Sequence, residues 1–433
     1  MAVFALSSLR RRGRHRVFFL DFFTNRRAKQ LLSMDAVTTP KISYPISQID
    51  PFSDEFLTSP HKFHEELREA GPVVWLERYG LWAMARHEEV HAVLSDWETY
   101  CSSAGVGLSD FRKEKPWRTP GLLLEADPPL NTRTRNVMMR VVSRPAIEAL
   151  REPFTKEAVR LLDELVARGT FDAVTDLAEK YPVKVFPDAV GLPAAGRERL
   201  LPYGSMVFNA FGPRNHLFET AMADSKALLE WAATWCQRSV LTSDGFGARI
   251  YAAADAEKVS EAEAALLVRS FISAGLDTTV HALGDAIYCF ATNPDQWQIF
   301  RADPTLARSA FEEVIRYESP VQTFFRTTTK PVDVAGVQLG EGQKVLLFLA
   351  AANRDPRKWE APERFDIRRK TLGHVGFGAG IHGCVGQAVA RMEGEIILTE
   401  LAKRVETIKL IGEPKLQLNN TLRGWASLPV AVS

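Results

Sequence analysis

The chain has 433 residues, 46% hydrophobic and 25% charged, with a formal net charge of +1, the balance of a soluble globular protein with a large core. No apolar run approaches the ~20 residues that a membrane span needs, and nothing in the charge pattern points to a nucleic-acid partner. The four cysteines, Cys101, Cys236, Cys289 and Cys384, lie far apart in no paired spacing, which argues against a disulfide framework or a zinc ribbon and suits a reducing cytoplasm. The charge is uneven: residues 1–33 hold seven Arg and Lys29 against Asp21 alone, about +7, which leaves 34–433 near −6. This Arg-rich segment, with Val17-Phe18-Phe19-Leu20, has the make-up of a transit peptide or a basic interfacial helix. The preferred reading is a disordered or artefactual extension, with translation starting at Met34 and 34–433 forming one catalytic domain.

From Asp50-Pro51-Phe52 onward there is no Ser- or Gly-rich linker and no internal repeat. Pro72 to Ala85, with Val73, Val74, Trp75 and Trp82, alternates as a hairpin turning near Tyr79-Gly80. Helical periodicity follows over roughly 129–142, 145–168, 197–211, 217–238 and 261–292. The longest helical candidate, 264–292, is stopped by Asn293-Pro294. Its middle reads Ala274-Gly275-Leu276-Asp277-Thr278-Thr279. Gly275 costs ~1 kcal/mol relative to Ala in a helix interior, and a Thr278 hydroxyl bonding back toward the Ala274 carbonyl would open the helix locally. Ser270, Ala274 and Thr278 share one helix face. Residues 326–350 turn β-like through Val332, Val334, Val337 and Leu339, and helix returns at 384–404 before short strands. The pattern predicts a mainly α fold with small β-sheets near both ends.

Ahead of that last helix stands Phe377-Gly378-Ala379-Gly380-Ile381-His382-Gly383-Cys384-Val385-Gly386. A thiolate ligating iron needs backbone N–H groups aimed at its sulfur, and glycines let the backbone fold that tightly. The run resembles the haem-ligand loop of the cytochrome P450 family at every position of Phe-Gly-x-Gly-x-His-x-Cys-x-Gly, and the likeness covers essentially all of 40–433. The resemblance implies the P450 fold, with the long helix crossing the distal side of a haem b, and Cys384 as the iron ligand flanked by Phe377 and His382. It also implies Arg326, Arg135 and His382 at the haem propionates. Asn131, where the family usually has a histidine, is included in the haem-binding set, as an uncharged hydrogen-bond donor to a propionate. Ala-Gly-x-Asp-Thr-Thr matches the family's distal helix, in which Thr278 would handle activated dioxygen and Asp277 would relay protons. Glu313-Val314-Ile315-Arg316 matches Glu-x-x-Arg, and Arg364, in Pro362-Glu363-Arg364-Phe365-Asp366, would complete a structural lock with Glu313 and Arg316.

The chain looks closest to the bacterial P450s that oxidise para-substituted benzoates such as 4-methoxybenzoate, through stretches such as Gly105–Phe111, Lys113–Arg118, Val207–Pro213 and Ser319–Arg326. That likeness implies Arg118, Arg269 and Ser270 for a substrate carboxylate, and Val207, Phe208, Phe211, Val321 and Phe324 for the ring, with Ala274 beside the reacting end. Ser270 and Ala274 are about 6 Å apart along the helix axis, close to a benzoate's length. The family's usual serine is Gly121 here, so one donor is missing, which leaves room for a longer acid such as a cinnamate. The implied activity is insertion of one oxygen atom from O2, with electrons from NAD(P)H through a separate [2Fe-2S] ferredoxin and its reductase, by a cytoplasmic monomer. A peroxide-using haem peroxygenase and a non-catalytic haem sensor or carrier are the rivals. The first usually lacks the acid–alcohol pair, and the second needs neither a proton relay nor an arginine anchor.

Overall fold

The computed structural model describes residues 44–433; the basic segment 1–33 and the start at Met34 lie outside the described residues. The hairpin forms where the alternation predicts it. Val74–Leu76 pairs antiparallel with Leu81–Met84, Trp75 opposite Trp82, through a turn in which Gly80 has φ +60°. The two indoles meet edge-on at 4.9 Å. Alternation alone does not say what this hairpin joins. Leu81–Met84 runs parallel to Lys344–Phe348, which pairs antiparallel with Thr323–Thr328. With Ile46–Ser47 and Tyr100–Cys101 at its edges, the result is a six-stranded sheet. Phe324 and Arg326 reach the interior from it.

The predicted helices are present, several of them in two pieces. Leu130–Val141 is continuous, whereas 145–168 divides into Arg144–Glu148 and Arg151–Arg168, where the Leu150 amide takes the Ile147 carbonyl in a tighter turn. Residues 217–238 divide into His216–Met222 and Ser225–Trp235, and 197–211 contains the helix Leu200–Asn209. Ala173–Ala178, with no signal in the sequence, is a π-helical turn closed by the Glu179 amide on the Val174 carbonyl.

The long central helix is also two helices. Glu261–Ala274 starts on a capping box, Ser260 with Glu263, and Asp277–Thr292 follows after Gly275-Leu276. The Gly275 amide still reaches the Phe271 carbonyl at 2.8 Å, but the backbone then departs from helical geometry at Leu276. The Thr278 hydroxyl donates to the Ala274 carbonyl at 3.1 Å, the opening that the sequence pattern predicts. Glycine is required at the break because a Cβ on residue 275 would come within 2.5 Å of the Phe186 ring. Asp277–Thr292 is buried over most of its length and packs against Ala307–Glu318 and Gln387–Ala402, so the break faces the centre of the main core.

Candidate active site

One cavity opens beneath that break, and Cys384 lies at its floor. The loop carrying Cys384 is held by its own backbone. The Cys384 amide donates to the Phe377 carbonyl at 2.8 Å, and the Gly383 amide to Gly380 at 3.1 Å. Gly378 and Gly380 sit at φ +70° and +63°, which side chains rarely tolerate. Burial raises the Cys384 thiol above its usual range; the backbone N–H of Gly386, the Arg135 and Arg391 cations and the backbone N–H of Gln387 oppose it. That set of donors is what an anionic sulfur ligand needs.

Behind the loop, polar groups are paired. Glu312 accepts from His374 Nε2 at 2.7 Å and from Arg391 Nε, and the Arg391 guanidinium lies 4.4 Å from the centre of the Phe377 ring. Against burial, which would raise it, His374 and Arg391 hold the Glu312 carboxyl down to about 2. This clamp on Phe377 is absent from the sequence reading, because it joins three distant segments. Glu313 and Arg316 form the predicted pair, at 2.7 and 2.9 Å, with both side chains fully buried. The third member is not Arg364. The Arg364 side chain is 68% exposed, with Asp366 3.8 Å away as its nearest acid. The chain turns at Ala361–Arg364 and again at Asp366–Arg369, which returns Arg369 to the core. Arg369 Nε donates to Glu313 at 3.1 Å, and its other nitrogens hold the carbonyls of Glu360, Ala361 and Arg364.

The predicted acid–alcohol pair divides. Thr278 lines the cavity; Asp277 does not. Asp277 is buried against Gly204, where a Cβ would come within 2.2 Å of its carboxylate, and both of its oxygens lack a partner among the described residues. Burial, with the Glu179 charge adding to it, pushes the Asp277 carboxyl well above the usual range.

The remaining walls bring together the residues assigned to substrate: Arg118, Arg269, Ser270, Ala274, Val207, Phe208, Phe211, Val321 and Phe324 all line the cavity. Phe211 stands between Phe208 and Phe324, with ring centroids 5.9 and 6.0 Å away. Arg269 donates to the Thr119 and Pro120 carbonyls at 2.7 and 3.3 Å, and Ser270 to Leu266 at 3.1 Å. Glu125, which the sequence reading passed over, also lines this wall, 3.1 Å from Arg118 Nη1. Asn131 falls outside the cavity. Its amide donates to the Leu123 carbonyl at 2.7 Å and so fixes the loop that carries Glu125; that geometry removes it from the set expected to face a propionate.

Two buried basic side chains near Cys384, Arg326 and His382, make no hydrogen bond to an acid among the described residues, and burial lowers the pKa of both. Arg326 is 2% exposed, and among the described residues its guanidinium reaches only the neighbouring Phe325 carbonyl, at 2.8 Å; burial lowers it to about 10. Both ring nitrogens of His382 lack hydrogen bonds among the described residues, Asp127 lying 3.6 Å from Nε2, too far for one. Arg135 reaches the Gly383 carbonyl at 2.6 Å. Unpaired buried donors around a thiol set in glycines fit a haem, with its two carboxylates and an iron seeking sulfur.

The cytochrome P450 family model matches residues 243–421. The chain is 54% identical over 405 residues to cytochrome p450 CYP199A2 of Rhodopseudomonas palustris, covering 93% of this chain and 98% of that protein. It is 32% identical over 395 residues to cytochrome P450 107B1 of Saccharopolyspora erythraea, covering 88% and 96%. Among solved structures, cytochrome P450 CREJ in complex with (4-ethylphenyl) dihydrogen phosphate is similar, at 26% identity and a TM-score of 0.78 over 89% of this chain and 99% of that one.

Proposed function

Because the chain belongs to the cytochrome P450 family and is a monooxygenase, we propose that it oxidises para-substituted aromatic carboxylic acids, with O-demethylation of 4-methoxybenzoate to 4-hydroxybenzoate as its characteristic reaction. The observation that carries this reading is the meeting, in one cavity, of two guanidiniums, Arg118 and Arg269, against the single carboxylate of Glu125, beside the apolar wall of Val207, Phe208, Phe211, Val321 and Phe324. A pocket for a neutral hydrocarbon has no use for a cation in excess, which is costly unless an anion joins it.

Cys384 holds the haem iron, and Arg326, His382 and Arg135 meet the haem carboxylates. Bound there, haem supplies activation of dioxygen and transfer of one oxygen atom to a C–H bond. Arg118 and Arg269 bind the substrate carboxylate, joined by Ser270 once its hydroxyl turns from the Leu266 carbonyl. The phenylalanines exclude water and fix the ring, so the para substituent projects past Ala274 toward Thr278. Thr278 offers a hydroxyl at the break, and Asp277 behind it, whose carboxyl burial makes a weaker acid, is the proton reserve. Hydroxylation of the methoxy carbon gives a hemiacetal, which releases the phenol and formaldehyde. The second oxygen atom leaves as water, with two electrons from NAD(P)H delivered by a separate [2Fe-2S] ferredoxin and its reductase. No helix among the described residues is long and apolar enough to cross a membrane.

The test is the substrate-induced spin-state shift of the holoenzyme with 4-methoxybenzoate, its methyl ester and its meta isomer, together with formaldehyde release. The acid with the para substituent should bind best and release one formaldehyde per turnover. Equal responses to all three ligands would rule out carboxylate anchoring.

A further inference from the structure

Glu125 sits inside the cationic end of the cavity. Its side chain is 2% exposed and that of Arg118 is 7%, with Nη1 and Oε2 3.1 Å apart. The same Oε2 accepts from the Gly121 amide at 2.5 Å. Residue 121 leaves room for this, since a Cβ there would stand 3.3 Å from Oε2 and crowd it. The loop is pinned from below by Asn131 on the Leu123 carbonyl and by Thr134 on the Leu122 carbonyl, both at 2.7 Å. The carboxylate is therefore built in.

Three charges share this wall: Arg118, Arg269 and Glu125. Arg269 has no carboxylate within ion-pair distance among the described residues; burial, and then Arg118, lower its pKa, while Glu125 offsets part of that. Arg118 Nε is buried with no acceptor among the described residues. The wall holds one positive charge in excess, and one donor is waiting.

We propose that Glu125 is a specificity-determining residue: by cancelling one of the two guanidiniums, it sets the anchoring end to a single excess positive charge, which one monoanionic carboxylate neutralises and a dianion over-neutralises. The proposal rests on the carboxylate-anchoring reading above. It explains why buried Arg118 is tolerated before substrate arrives. It also predicts that ligands with the same ring are sorted by charge, since rejecting a competitor takes a repulsive element as well as an attractive one.

The experiment titrates the holoenzyme at about pH 8, where a phosphate monoester with a second pKa near 6 is a dianion. The ligands are 4-methoxybenzoate, its methyl ester and 4-methoxyphenyl phosphate, and the readout is the spin-state shift. Wild type should bind the carboxylate at least about tenfold more tightly than the phosphate, close to 1.4 kcal/mol. Glu125→Gln should gain about tenfold or more in phosphate affinity, keep or improve its affinity for the carboxylate, and leave the ester unchanged. Arg269→Gln should lose the preference for acid over ester, and the double variant Arg269→Gln/Glu125→Gln should regain it, because the excess is again one. The reduced carbon monoxide spectrum reports whether each variant is folded. Wild type binding phosphate and carboxylate alike, or Glu125→Gln leaving the phosphate-to-carboxylate ratio unchanged, overturns the proposal, and the first result needs no variant. Wild type binding acid and ester alike would instead remove the anchoring reading itself, and this proposal with it.

Discussion

On the cysteine side of the cavity the acids behind the loop are matched, Glu313 by Arg316 and Arg369 and Glu312 by His374 and Arg391, with Glu393 the exception, buried with its Oε2 unpartnered among the described residues. On the distal side Asp277 has no hydrogen-bond partner among the described residues, and Arg118 Nε has none either. Both sides are packed into the same core, so burial alone does not separate them. The difference is one of purpose. A buried ion pair left intact costs little, but removing one partner strands the other. Unmatched groups are tolerated where a ligand or a proton completes them.

The sharpest way to break this comparison is at the sulfur. Cys384→Ala should abolish the strongly red-shifted Soret band of the reduced carbon monoxide complex, and an unchanged spectrum would remove the thiolate assignment. Next come the matched charges. Glu313→Ala or Arg316→Ala should destabilise the fold by ~3–5 kcal/mol in denaturant melts. Arg369→Ala should be clearly destabilising, whereas Arg364→Ala should fall within about 0.5 kcal/mol of wild type, as surface changes do. Equal losses at 364 and 369 would contradict the lock described above.

On the distal side, Arg118→Ala should weaken 4-methoxybenzoate binding by at least about tenfold, and by roughly 30- to 5,000-fold if the loss is the ~2–5 kcal/mol typical of a truncated buried charge pair. Stranding Glu125 beside the incoming acid adds repulsion to the lost attraction. Neutral 4-methoxytoluene and the haem spectrum should hardly change; if acid and neutral ligands weaken alike, Arg118 is a packing residue.

The smallest effects on stability are expected at the break. Thr278→Ala should uncouple NADH use from product, and Asp277→Asn should slow oxygen consumption. The folded Asp277 pKa is raised, so as pH climbs past the ordinary aspartate range the unfolded chain loses its proton first and stability falls. Asp277→Asn removes that penalty. Its melting temperature should exceed that of wild type by a margin that widens from about pH 5 to pH 8. A margin independent of pH would mean that Asp277 is ionised in the fold.

Much of this was legible locally. The cysteine loop, the Thr278 back-bond and the Glu313–Arg316 pair are short-range patterns whose geometry follows from turn chemistry and helical spacing. The failures share a cause. Arg364 and Arg369 lie in one short turn-rich stretch, and only the path of two irregular turns decides which points inward. Asn131 was assigned by its place in a motif, but its amide is drawn to a carbonyl eight residues back. Glu125 carries no local signature, because its meaning comes from Arg118 and Arg269 arriving on the same wall. The division of the central helix was foreseen at Thr278 but not its extent, which Phe186 settles by packing on Gly275.

The six-stranded sheet sets a timetable for folding. Trp82 aligns with Val345, and Tyr100 with Thr328, so strands formed from the first quarter of the chain wait for segments from the last third. Closing loops of that length is entropically slow, and non-local strand pairing lags behind local helices. The sheet also presents Phe324 and Arg326 to the cavity, so the cavity wall is expected to be finished only after most of the helices have formed. A chain halted before residue 344 would own the distal helices and lack the strand that joins the two halves of its sheet.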